Sequence, residues 1–162
     1  MQINGAARVL IFIGIIISIL LFVPFGSKGK MDLSFKKEGT LSIINQAGAS
    51  IATFDIQLAE TEEEQEQGLM YRKSLGKDQG MLFIMDEEEV HSFWMLDTYI
   101  PLDIIFVAAD KEIVFIAKST EPESQDPITS MADCLYALEI NGGIAEQLGI
   151  KVGDRIDFAL QK

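Results

Sequence analysis

Residues 9–25, VLIFIGIIISILLFVPF, carry no charge, and this one run restricts the chain more than any other feature. Coiled into a helix at about 1.5 Å per residue it reaches roughly 25 Å, near the lower limit for crossing a bilayer. A helix apolar on every side needs lipid or a thick jacket of protein, and the remaining chain is too small to wrap one. A cleaved export signal needs small residues before the cut, whereas Ser27-Lys28-Gly29 puts a lysine there. The run is therefore read as an uncleaved single-pass membrane anchor after a short start at 1–8. Lysine and arginine counting, with Arg8 before the span and Lys28, Lys30, Lys36 and Lys37 after it, would put the following domain in the cytoplasm. The short polar start with one arginine has instead the shape of an export signal, and a domain of this size weakens charge counting. The expectation is a cytoplasmic start at 1–8 and an extracytoplasmic domain.

Gly, Ser and Lys dominate 26–39, which reads as a linker. Residues 40–162 then suffice for one domain with one core. The chain has 25 acidic and 13 basic residues, net −12, so its surface repels nucleic acid. Its one cysteine, Cys134, excludes an internal disulfide and any multi-cysteine metal site.

Within the domain, 40–45 and 50–58 read as strands around the turn at 46–49, a hairpin. Thr61 followed by Glu64 is a capping box, and the acidic run from Glu62 to Glu66 suits the positive end of a helix that stops near Met70 after Gly68. Apolar stretches follow at 80–85, 92–96, 102–108 and 112–118, the last two hinged at Asp110-Lys111 as an antiparallel hairpin. The segment 119–133, with Pro122 and Pro127, reads as a loop. A strand at 134–140, a short helix at 144–148 and a last strand at 155–160 complete the chain. Many short strands with two short helices predict a mainly β (α+β) domain, a small curled or barrel-like antiparallel sheet. No βαβ alternation of a doubly wound fold is read.

The densest chemistry runs Gly-Leu-Met-Tyr-Arg at 68–72, Gly-Met-Leu-Phe at 80–83, Phe-Trp-Met-Leu-Asp-Thr at 93–98 and Pro-Leu-Asp at 101–103, with Ala-Leu-Glu at 137–139 and Gly-Asp at 153–154. In this order the motifs resemble the bacterial and archaeal domain-of-unknown-function family 192. The resemblance implies that family's small, mainly β fold and is consistent with an N-terminal export signal or anchor. It implies no activity. Asp97 stands where the family usually has Asn, and Leu96 where Lys is frequent, which makes the surroundings of Trp94 less hospitable to an anion.

Read from chemistry alone, Trp94 with Asp97 and Thr98 suits a sugar ring or an organic cation against an indole face, and equally a plain core filled by tryptophan. Asp103 and Glu139 are carboxylates inside apolar runs, where burial would raise their pKa values; if they converge with Asp97, a hydrolase becomes possible. Met70, Met81 and Met95, with Met85 nearby and His91 as the one histidine, have the donor types of a soft-metal site for Cu(I), though methionine is also a core filler. Cys134 with His91 lacks the setting of a nucleophile and its base. The leading expectation is an envelope binding or accessory module with no cofactor, taking an envelope glycan or protein partner at Trp94, Asp97, Thr98, Asp103 and Glu139. Its rivals are a paired-carboxylate hydrolase and a copper-handling module. Nothing in the sequence speaks to oligomeric state.

Overall fold

The computed structural model describes residues 33–161. The anchor expected at 9–25 lies outside them. Among the described residues no helix is long and apolar enough to cross a membrane.

The described chain builds a seven-stranded sheet in the order β6-β5-β8-β3-β2-β1-β9, with a two-stranded ribbon, β4-β7, beside it. The strands are β1 Gly39–Ile44, β2 Ser50–Ala59, β3 Gln79–Glu89, β4 Ser92–Phe93, β5 Leu102–Val107, β6 Ile113–Ala117, β7 Ile128–Thr129, β8 Cys134–Asn141 and β9 Arg155–Leu160. Two short helices, α1 Glu62–Gln67 and α2 Ile144–Leu148, complete the mainly β fold. Both expected hairpins form, β1 against β2 and β5 against β6.

Two expectations need correction. The sheet is mixed, because β2 and β3 pair in parallel, from Asp55 opposite Gln79 to Ala59 opposite Phe83. Parallel neighbours require a long crossover, and α1 with the loop after it supplies one, so a single βαβ unit is present where none was read. Nor is the sheet closed into a barrel: β6 and β9 are its edges, and they touch only at one end, through the isolated bridge between Glu112 and Arg155 and the backbone bonds beside it. Part of the expected linker also belongs to the domain. The Glu38 N–H donates to Ile56 O at 2.8 Å, and its carboxylate accepts from the Leu58 N–H at 2.9 Å.

Alternation along the central strands produces two apolar layers. Leu82, Ile105, Leu138 and Ile140 face a core shared with β1, β2, β9 and α2. Their sequence neighbours Met81, Phe83, Ile104, Phe106 and Ala137 face the opposite side, which holds a second core with Leu69, Met95 and Cys134. Because β5 is covered on both faces, every residue from Leu102 to Val107 is buried, which explains the unbroken apolar run from Ile104 to Val107. The ribbon roofs the second core: Phe93 meets Phe83 and Phe106 edge-on, with ring centroids 5.1 and 5.4 Å apart.

A candidate site: a cleft over a buried glutamate

The capping box at the start of α1 forms as expected, with the Thr61 hydroxyl accepting from Glu64 N–H and the Glu64 carboxylate accepting from Thr61 N–H. The N–H groups of Thr61 and Glu60, both donating to it, hold the Glu64 carboxyl below its ordinary value. The chain then turns at Gly68, whose φ is +45° and where a Cβ would lie 3.2 Å from the Phe83 ring. Glycine there keeps α1 close over the sheet. The Gln65 side-chain amide pins the helix by donating to Ile84 O at 2.8 Å.

Between α1 and the segment 91–98 opens a cavity of about 410 Å³. Glu62 and Glu66, four residues apart and so on one helical face, stand on one side, and Trp94 and Phe93 stand on the other. Met70, Met85, His91 and Thr98 contribute to the wall, and Glu139 reaches it from the central strand β8. No lysine or arginine lines it.

Glu139 is the unusual member. It stands opposite Met81 of β3 and Ile104 of β5, on the face of the second core, and is 4% exposed. Among the described residues no hydrogen bond or ion pair reaches its carboxyl group. Burial alone pushes that carboxyl up from 4.5 to about 8, so at neutral pH it is mostly a protonated acid.

The other expected residues scatter. Asp103 is fully buried, but it pairs with Ile140 while its neighbour Ile104 pairs with Glu139, so the two carboxylates project from opposite faces of the sheet. One Asp103 oxygen accepts from Ser119 N–H at 2.7 Å and Gly143 N–H at 3.0 Å, and the other accepts from Ala145 N–H at 2.7 Å. It thus caps α2 from a distant strand. Asp97 is outside the cleft wall; its carboxylate accepts from the Tyr71 hydroxyl at 2.7 Å, and its carbonyl accepts from Tyr71 N–H at 2.8 Å. That bond raises the Tyr71 hydroxyl above its usual pKa. Both residues sit at positive φ, +63° for Tyr71 and +52° for Asp97, so the two loops flanking the cleft are clamped in a strained conformation. The convergence of Asp97, Asp103 and Glu139 that a hydrolase would need is not present.

Trp94 is 53% exposed at the rim, and the residue that fills the core is Met95. The strand expected at 92–96 stops at Phe93, because Met95 N–H turns to Ser124 O and Thr98 N–H closes back on Met95 O. Thr98 is buried in the wall, with its hydroxyl donating to Leu96 O. Of the soft-metal candidates, Met70 and His91 line the cleft, Met81 is buried beside Glu139 on the same face of the sheet, and the Met95 sulfur accepts from Thr120 Oγ1 at 3.1 Å. Met70 and His91 thus share the cleft wall, and Met81 and Met95 are not part of it. Among the described residues no group of three or more His, Cys, Asp or Glu could hold a metal ion. Cys134 is buried in the second core, where desolvation pushes its thiol up.

Sequence reasoning missed the contribution of α1. Its acidic run accounts for the dipole, but the four-residue spacing of Glu62 and Glu66 was the available sign of a common face.

The family model of DUF192, described as uncharacterised ACR, matches residues 43–158, which include the whole cleft. The chain belongs to this family. A UPF0127 protein from Thermococcus sibiricus (strain DSM 12597 / MM 739) is 23% identical over 125 residues, covering 74% of this chain and 76% of the relative. Two solved structures share the fold. One, a Sinorhizobium meliloti 1021 protein described as a candidate transcription regulator, is 34% identical with a TM-score of 0.73 and covers 80% of this chain and 98% of its own. The other, a Novosphingobium aromaticivorans DSM 12444 protein of unknown function, is 40% identical with a TM-score of 0.69, covering 73% of this chain and 83% of its own.

Proposed function

We propose that this DUF192 member is a small-molecule-binding module, tethered at the cell envelope through residues 9–25, with its site in the cleft beneath α1. The observation that carries the reading is Glu139. Its side chain is buried, its carboxyl meets no donor among the described residues, and desolvation alone sets its state. Here it ends at a cavity of about 410 Å³, a size that accommodates a small ligand. A ligand could supply a partner for this carboxyl, and the half-exposed Trp94 would then cover it. Binding is favoured over hydrolysis because neither Asp97 nor Asp103, the carboxylates a paired mechanism was expected to use, joins Glu139 in the cleft wall.

The test follows Trp94, the single tryptophan, whose fluorescence reports the cleft directly. The full chain is titrated with choline, benzyl alcohol, benzoate and N-acetylglucosamine while fluorescence and melting temperature are recorded. At least one compound is expected to give a saturable change and a higher melting temperature, as binding to the native state must. Silence of all four at millimolar concentration overturns the reading. The envelope tether is checked separately by a compartment-sensitive reporter fused after Lys162; activity on the cytoplasmic side alone overturns it.

A further inference from the structure

We propose that the ligand of the cleft is a small organic cation, an amine or quaternary ammonium whose charged head sits against Glu139 under the Trp94 indole. This inference rests on the small-molecule reading above and names the class that the same site would take.

Three observations choose the cation over a sugar or an anion. First, every ionised wall group is acidic: Glu62 and Glu66 come from α1, and no lysine or arginine lines the cavity. An anion would enter against these charges with no lysine or arginine to pair with. Second, Gln65, His91, Ser92 and Thr98 of the wall already bond within the protein, which leaves Glu139, beside Phe83, Met85 and Phe93 on the floor, as the carboxyl without a protein donor, whereas a sugar ring presents hydroxyls on all its edges and needs several fixed partners. One carboxyl in an apolar floor matches a ligand with one polar head. Third, the aromatic and thioether wall of Trp94, Phe93, Met70 and Met85 is polarisable, and a ring face attracts a cation as desolvation removes its water.

The charged and titratable groups around Glu139 do not supply that cation themselves. Its strand neighbours are Met81 and Ile104, α1 offers Glu62 and Glu66, and the segment after β3 offers His91, whose Nε2 lies 3.0 Å from Glu87 O. Arg72 is outside the cleft wall, donating from Nη2 to Gln57 Oε1 of β2 at 2.7 Å. Binding therefore has a proton balance. The Glu139 acid gives its proton to solvent, the carboxylate pairs with the incoming ammonium, and one proton is released per ligand bound at neutral pH. Above the Glu139 titration the carboxylate is already formed and binding becomes tighter.

Choline and its neutral carbon isostere, dimethylbutanol, separate charge from shape. With the full chain at mildly alkaline pH, choline is expected to bind about tenfold or more tightly than dimethylbutanol by Trp94 fluorescence, a difference of about 1.4 kcal/mol. Calorimetry at neutral pH in two buffers of different ionisation heat should report proton release with choline and none with dimethylbutanol. Glu139→Gln, which keeps the shape, is expected to reduce choline to the level of its isostere while circular dichroism stays unchanged. Should that variant fail to fold, Trp94→Ala at the exposed rim is expected to fold and, by calorimetry, to lose most of the preference. Equal binding of the two ligands overturns the cation, and so does choline binding unchanged by Glu139→Gln. Choline silent while benzyl alcohol or N-acetylglucosamine still binds overturns the cation and leaves the small-molecule reading standing. Silence of the whole series overturns both.

Discussion

Asp103 and Glu139 are carboxylic acids on neighbouring strands, one pairing position apart, and the fold treats them in opposite ways. Asp103 is enclosed by three backbone N–H donors that have no other partner, so its charge closes a helix end and two turns. Glu139 meets no donor, and burial turns it into a neutral acid at the bottom of a cleft. Burial as such therefore says little about what a carboxylate does; the supply of donors decides. A carboxylate with its lone pairs filled is architecture, whereas one left empty beside a cavity is a place for something to bind.

The comparison can be broken most forcefully at Asp103. Asp103→Ala strands three N–H donors in the protein interior and is expected to cost roughly 3–5 kcal/mol in urea unfolding. A loss below about 1 kcal/mol would remove the contrast.

Glu139 sharpens it through pH. An unfolded Glu139 loses its proton above its ordinary 4.5, while the folded one keeps it to about 8. Between those values the native state holds the extra proton, so stability falls as pH rises, by about 1 kcal/mol per unit, and levels off above the folded pKa. Glu139→Gln lacks this titration. Measured against wild type from mildly acid to mildly alkaline pH, the variant is expected to gain steadily; a constant difference would mean that Glu139 is paired after all.

The two helices extend the contrast at smaller scale. α2 has no side-chain cap of its own and depends on Asp103, whereas α1 carries Thr61 and Glu64 within its own first turn. Thr61→Ala is therefore expected to cost only about 1 kcal/mol, readable as a small drop in the urea midpoint. Trp94→Ala should be smaller still, within about 0.5 kcal/mol by the same assay, because the ring is 53% exposed. A loss of several kcal/mol there would restore the reading of Trp94 as core.

Much of the fold was legible because local chemistry sets it. The capping box at Thr61, the turn at Asp110-Lys111 and the span of the last helix and strand follow from residues a few positions apart, and the motifs from Gly68 to Asp154 identified the family. The parallel pairing of β2 and β3 was not legible, since each strand reads alike whichever way its neighbour runs. Trp94 and Met95 show the same limit at one site. Period-two alternation puts adjacent residues on opposite sides, but only the turn to Ser124 decides that methionine enters the core and tryptophan faces the cleft.

The sequence by itself determined an acidic, mainly β domain with two short helices, because periodicity, caps and charge are carried by neighbours along the chain. Only the tertiary structure decided that Asp103 is a cap and Glu139 a solitary acid in a cleft. Which face of a sheet a carboxylate occupies, and whether donors from distant loops reach it, depends on contacts between segments far apart in sequence.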